Sequence, residues 1–288
     1  MSEYIDLHTH STFSDGTLTP EEIVVLAKEK GLKAIAITDH DTLDGIDEFM
    51  AAGEKHGIET IPGIEFASYY DFLGRKVEIH SVGLFIDHNN EIIKTSAEKI
   101  KQQRYERNIR MIEKLTEIGF PMTYEELYEI SGCGNCTRAH YAQLMYKKGY
   151  TKTVNEAFEK YISLGLPGHV PRKLITPTEA IEIIKAAGGI PVLAHAALYK
   201  LDYDAIRKLV AELKEYGLTA MEVMYSTFKP EQEREITRIA KEGGLLFSGG
   251  SDYHGKNKAD IDLGVGRGNL KIPYSFLEEI KKEKEKIK

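Results

Sequence analysis

Histidines and carboxylates in this chain gather in short clusters, each just past a brief apolar run. Asp6-Leu7-His8-Thr9-His10 comes first, with Asp15 five residues further on. Thr38-Asp39-His40-Asp41, Pro62-Gly63-Ile64-Glu65 and Ser251-Asp252-Tyr253-His254 repeat the placement, as do His80 after Val77-Glu78-Ile79 and His195 after Val192-Leu193-Ala194. In extended chain the side chains alternate, so His8 and His10 point the same way and can share one ion, as can Asp252 and His254. Six histidines, three carboxylates and no thiolate suit Mn, Fe or Zn and suit Mg alone poorly. Nine donors exceed what one ion uses, so two or three divalent metals are implied, and Glu65 is of a type that bridges two. A hydrogen-bonded rim residue would explain any one cluster, but not the recurrence on segments far apart in sequence.

The elements that must position these groups alternate between short apolar runs and amphipathic stretches, the pattern of parallel strands joined by helices. Strands are expected at Tyr4–His8, Ala34–Thr38, Glu59–Glu65, Val77–Phe85, Ile190–Ala194, Ala220–Met224 and Leu245–Ser248. Helices are expected at Pro20–Lys30, Leu43–His56, Thr178–Ala187, Tyr203–Tyr216, Pro230–Glu242 and Tyr274–Lys286. Thr19 and Pro20 open the first, and Gly31 closes it. About seven strand–helix units result, one short of a regular (β/α) barrel, whose functional surface is the rim at the C-terminal ends of its strands. The rhythm breaks over residues 91–175, where a long charged helix near Ile92–Glu117 and shorter helices are expected. The reading is a barrel of residues 1–90 and 176–288, with residues 91–175 a small helical insert capping one end.

The chain has 288 residues, 42% hydrophobic and 29% charged, the composition of an ordinary globular protein. Its formal net charge of −7 argues against a general grip on long duplex DNA. Small phosphorylated ligands remain open, because bound ions and local Arg or Lys reverse the sign within a pocket. No apolar run is of membrane-spanning length and the N-terminus lacks the pattern of a signal peptide, so the cytoplasm is expected. Cys133 and Cys136 are the only cysteines. They form no disulfide framework and have no second Cys or His pair at zinc-site spacing, so they read as reduced loop thiols.

The ordered motifs His8-x-His10 with Asp15, Thr38-Asp39-His40, Pro62-Gly63-Ile64-Glu65, His80, His195 and Ser251-Asp252-Tyr253-His254 resemble those of the PHP (polymerase and histidinol phosphatase) metalloesterases. The resemblance implies an α/β fold, a distorted (β/α)7 barrel with a small helical insert, and a trinuclear centre in which the same nine residues carry the catalysis. It implies that His8, His10, Glu65 and Asp252 hold one ion, that Glu65, His80 and His195 hold a second, and that Asp15, His40 and His254 hold a third. Within the insert, Thr137-Arg138-Ala139-His140 resembles the Arg-Pro-His segment of the stand-alone nucleotide phosphoesterases, with Ala139 in place of proline. Pro171-Arg172-Lys173 resembles their second basic motif.

Members of that branch remove the 3′-phosphate of nucleoside 3′,5′-bisphosphates, and some trim short 5′-phosphorylated RNA. The implied chemistry is attack on phosphorus by a hydroxide held between two ions. Arg138 and Arg172 would fix the phosphate that does not react, since guanidinium recognition of phosphate is bidentate, and His140 and Lys173 would add single contacts. The alternative for these residues is ion pairing between insert and barrel. The alternatives for the whole chain are an esterase for a cyclic ribose phosphate or histidinol phosphate, a deaminating or deamidating barrel hydrolase, and a metal-stabilised interaction module. His56 and His88 lie off the motif pattern and are expected at the surface.

Overall fold

Seven short runs become the strands of one sheet in sequential order. They are β1 (Ile5–Asp6), β2 (Ala34–Ile37), β3 (Glu59–Phe72), β4 (Arg75–Leu84), β5 (Ile190–Leu193), β6 (Ala220–Tyr225) and β7 (Leu246–Gly250). The computed structural model describes residues 3–132, 136–171 and 174–287. Strands β2 and β5 are buried at every residue, as expected for strands covered on both faces. The sheet curls until β7 meets β1. Leu7 N–H donates to Gly249 O at 3.1 Å and Asp252 N–H to His8 O at 2.9 Å, giving a nearly closed barrel.

Helices cover the outside: α1 (Pro20–Glu29), α2 (Ile46–His56), α3 (Glu91–Glu117), α4 (Tyr124–Ser131), α5 (Arg138–Lys147), α6 (Val154–Ala157), α7 (Pro177–Ala186), α8 (Tyr203–Tyr216), α9 (Pro230–Glu242) and α10 (Tyr274–Lys286). Helix α1 begins where its residues dictate, because Thr19 and Glu22 cap one another's backbone and Pro20 tolerates the first turn. None of the described helices is long and apolar enough to cross a membrane.

One strand departs from the sequence reading. The expectation of uniformly parallel strands fails at β4, which pairs antiparallel with both β3 and β5. The reason lies at Leu73-Gly74, where φ is +50° and +73°. Two consecutive left-handed residues make a tight hairpin turn, so β3 runs on past Glu65 to Phe72 and folds straight back without a crossover helix. His80 therefore reaches the rim from the opposite direction to the other site residues. It lies opposite Ala67, and its carbonyl accepts from Ala194 N–H at 3.1 Å.

Between β4 and β5 run α3 to α7, and α3 serves two cores. Ile93 and Ile100 pack into the apolar cluster of the barrel layer with Ile184, whereas Met111 and Leu115 pack with Leu127, Tyr141 and Leu144 of the following helices.

Barrel closure leaves no room at β7. A Cβ on Gly250 would fall 2.2 Å from His8 Cβ and 2.7 Å from His8 N. Gly250→Ala is expected to cost about 1–3 kcal/mol through overpacking, read as a lower urea midpoint. An unchanged midpoint would mean that the two strands are not tightly closed.

Candidate metal centre

Glu65 sits in mid-strand on β3 with its carboxylate buried, and five imidazoles converge on it. Its Oε1 lies 2.7 Å from His80 Nδ1 and 3.1 Å from His195 Nε2. Its Oε2 lies 3.2 Å from His8 Nε2, 3.2 Å from His10 Nε2 and 3.0 Å from His40 Nδ1. These rings come from the segments after β1 and β2, from within β4 and from the end of β5. On the far side, Asp252 Oδ1 lies 3.2 Å from His10 Nε2, and Asp15 Oδ1 lies 3.2 Å from His254 Nε2. All nine site residues expected from the sequence are thus brought to one end of the barrel.

The arrangement fits divalent cations. Nε2 of His8 and Nε2 of His10 face each other at 3.1 Å, a separation suited to two lone pairs aimed at a common ion and unsuited to two protonated rings. His195 Nδ1 is buried without a hydrogen-bond partner among the described residues. Three groups of ligand atoms lie close enough to hold an ion: His8, His10 and Asp252; His40, Glu65 and His80; and His10, Asp15, His40 and His254.

Partners outside the cluster fix which ring nitrogen is presented. His8 Nδ1–H donates to Glu222 Oε1 at 2.7 Å and His254 Nδ1–H to the Asp252 carbonyl at 2.8 Å, which leaves Nε2 of each as the lone pair facing inward. Glu222 Oε2 also accepts the backbone N–H of His195 at 2.7 Å. His195 has φ +31°, and Asp41 and Asp252 are likewise left-handed at +57° and +55°. Such non-glycine strain gathers at functional rims. Asp252 Oδ2 is occupied by Tyr225 O–H at 2.6 Å and Lys258 Nζ at 2.5 Å, so Oδ1 is the oxygen turned to the histidines. Asp39 accepts from Ser11 N–H, Ser11 Oγ and Ser14 Oγ at 2.5–2.7 Å and so anchors the loop that carries Asp15.

The electrostatics are those of a cation site. Burial raises the carboxyls of Asp15, Glu65 and Asp252, but the surrounding histidines outweigh it and hold them well below the carboxylate range, with Lys258 the largest such contributor at Asp252. Burial likewise depresses His10 and His80, yet the carboxylates of Asp252 and Glu65 lift His10 to about 9, and Glu65 lifts His80 to about 10.

A cleft of about 220 Å³ opens beside the cluster. It is lined by Asp15, His40, Glu78 and His80 of the barrel and by Arg104 and Arg107 of α3 with Arg138 of α5. Arg104 is paired with Asp41, and Arg107 Nε donates to Val170 O at 3.1 Å. The field around these arginines is positive. His169 is held below its ordinary value, first by burial and then by Arg107, Arg138 and Lys114.

Of the basic residues expected from sequence, Arg138 lines the cleft, whereas Arg172 and Lys173 lie outside the described residues. His140 is buried, and its Nδ1 accepts from Thr137 N–H at 3.1 Å, a role at the start of α5. Ion pairing between insert and barrel is made by Arg104 and Asp41. Cys136 is buried and donates to Ser131 Oγ at 3.2 Å; Cys133 lies outside the described residues. His56 and His88 pair with Glu21 and Asp47 at 3.0 and 2.8 Å, away from the cluster.

Sequence reasoning missed Glu222, Arg104 and Arg107. Glu222 carries a signal, being a single carboxylate within the apolar run Ala220–Met224, in a strand otherwise without a site residue. The arginines carry none, lying in a helix already rich in charge.

Two outcomes follow from these contacts. Glu222→Gln can supply only one acceptor oxygen for two N–H donors. It should therefore weaken divalent-metal retention about 10- to 100-fold while the fold persists, as measured by metal analysis after dialysis and by circular dichroism. Calorimetric titration of metal-free protein with Mn²⁺ in buffers of different ionisation enthalpy should show proton release near pH 7.5. His10 and His80 carry protons there and must lose them to bind, so affinity falls as pH is lowered. Binding without proton release would contradict their role as ligands.

Comparison with known proteins agrees with this geometry. The chain is 35% identical over 254 residues to a 5′-3′ exoribonuclease of Haemophilus influenzae, covering 88% of this chain and 91% of that one. It is 30% identical to a 3′,5′-nucleoside bisphosphate phosphatase of Chromobacterium violaceum, covering 90% of each. A crystal structure from Bifidobacterium adolescentis, described as a metal-dependent phosphoesterase, superposes with a TM-score of 0.85 at 30% identity, covering 97% of this chain and 96% of that one. The PHP domain model matches residues 6–217, and the chain belongs to the PHP domain family.

Proposed function

We propose that this metal-dependent phosphoesterase removes the 3′-phosphate from nucleoside 3′,5′-bisphosphates and trims short 5′-phosphorylated RNA from its 5′ end. The observation that carries the reading is a single cleft lined both by Asp15, His40 and His80 of the carboxylate–histidine cluster and by Arg104, Arg107 and Arg138. A substrate with two phosphates spans such a cleft. One phosphate meets the cluster and the other meets the guanidinium groups.

His8, His10, Glu65 and Asp252 would hold one ion, Glu65, His80 and His195 a second, and Asp15, His40 and His254 a third. Mn, Fe or Zn suits these donors. When bound, such ions would supply a nucleophile at neutral pH and charge neutralisation at the phosphoryl group. The remaining work belongs to the protein. Glu222 fixes the ring of His8 and the backbone of His195. Asp39 fixes the loop bearing Asp15, and the Asp41–Arg104 pair ties α3 to the rim, which sets how far the cleft arginines stand from the cluster. Arg138, half-buried at the start of α5, is placed to grip the non-reacting phosphate and to hold the ester in line. Helices α3 to α6 act in this reading as a cap that narrows access to the cluster, and the enzyme works in the cytoplasm.

Phosphate release by manganese-loaded protein tests this directly. Adenosine 3′,5′-bisphosphate should be preferred over adenosine 5′-monophosphate and over a cyclic ribose phosphate. Arg138→Ala should lower kcat/KM on the bisphosphate about 10- to 100-fold, the loss of one charge-assisted phosphate contact, while metal content stays unchanged. Turnover of the cyclic compound alone would refute the nucleotide assignment.

A further inference from the structure

The cleft is too small for the whole of its proposed substrate. At about 220 Å³ it falls below the roughly 300–1,000 Å³ of pockets that enclose a complete ligand. Two phosphates and a ribose fill it, so the nucleobase must lie on whatever surface continues outward. Strand register identifies that surface. Ala67 lies opposite His80, and Tyr69 lies opposite Glu78. Alternate residues share a face, so Glu65, Ala67 and Tyr69 on β3 and His80, Glu78 and Lys76 on β4 all face the site side of the hairpin. The contacts agree: Lys76 Nζ stands 4.7 Å from the centre of the Tyr69 ring, and His80 Nε2 lies 3.7 Å from Glu78 Oε1. The opposite face is committed to packing, with Tyr70, Phe72, Val77 and Ile79 in an apolar cluster. Ala67 and Glu78 line the cleft, and Tyr69 is one same-face step beyond Ala67, about 7 Å along the strand. Phe158, after α6, lines the cleft from the helical side.

We infer that Tyr69 and Phe158 form a nucleobase subsite at the outer end of the cleft, with Lys76 bracing the Tyr69 ring. Stacking on aromatic faces tolerates any base, because each base has a π-face. The ligand class is therefore a nucleoside bisphosphate or a 5′-terminal nucleotide without strong base preference. The inference rests on the proposed nucleotide function.

The test compares adenosine 3′,5′-bisphosphate with a base-free analogue, tetrahydrofuran bisphosphate, on manganese-loaded wild type and on Tyr69→Ala, Tyr69→Phe and Phe158→Leu. Wild type should favour the nucleoside by about 5- to 150-fold in kcat/KM, the span of one stacked base. Tyr69→Ala should erode that preference mainly through KM and leave the base-free rate unchanged, Phe158→Leu should lower the preference as well, and Tyr69→Phe should keep it. Equal turnover of the two compounds by wild type would overturn the subsite while leaving the bisphosphatase reading intact. So would an equal loss on both compounds in Tyr69→Ala, which would mark Tyr69 as structural. Failure of wild type on both bisphosphates, with phosphate still released from another ester, would sink the function and the subsite together.

Discussion

A buried carboxylate surrounded by imidazoles is the constraint on which the rest of this structure depends. Glu65 is 1% exposed and has five ring nitrogens within 3.2 Å. Bringing so many polar groups out of water is costly unless each is paired or coordinated. Divalent cations between carboxylates and histidines satisfy both sets of lone pairs at once. The fold answers this demand by sending one or two donors from almost every strand to one rim. Where a strand supplies no donor to the cluster itself, as with β6, it supplies Glu222 to hold those of its neighbours.

The second requirement is shape. The cluster borders a cleft that Arg104 and Arg107 of α3 also line. That helix packs its first half into the barrel layer and its second half into the core of the helical segment. The buried pair between Arg104 and Asp41 joins α3 to the rim immediately after His40. A shift of the helical segment would therefore be felt at the cluster. This couples the arginines that line the cleft to the metal-ligand cluster. Met111 and Leu115, deep in the core of the helical segment, belong to the same mechanical unit.

Much of this was legible from the chain alone, and for identifiable reasons. Ligand chemistry is carried by residue type, and His-x-His or Asp-x-His spacing on extended chain survives any arrangement of the barrel. Helices α8, α9 and α10 begin and end where periodicity and caps place them, because local signals such as Asp202 and Gly217 act within a turn. The direction of β4 was not legible in this way. Val77–Phe85 has the composition of any buried strand, and polarity along a sheet is settled by the turn before it. That turn contains Leu73, a residue that gives little warning of a left-handed conformation.

By itself, then, the sequence determined the family of chemistry: six histidines and three carboxylates, each just past a short apolar run, with too little positive charge for a duplex and no thiolate for a cluster of another kind. It also determined the strand–helix rhythm, since burial period and capping are local properties. Only the tertiary structure decided which oxygen of Glu65 faces which ring, that Glu222 orients two of its neighbours, and that Arg104 and Arg107 line the same cleft as His80. Those relations join residues tens to hundreds of positions apart. They depend on strand direction, side-chain rotamer and helix docking, which emerge when distant segments pack and are encoded at no single position.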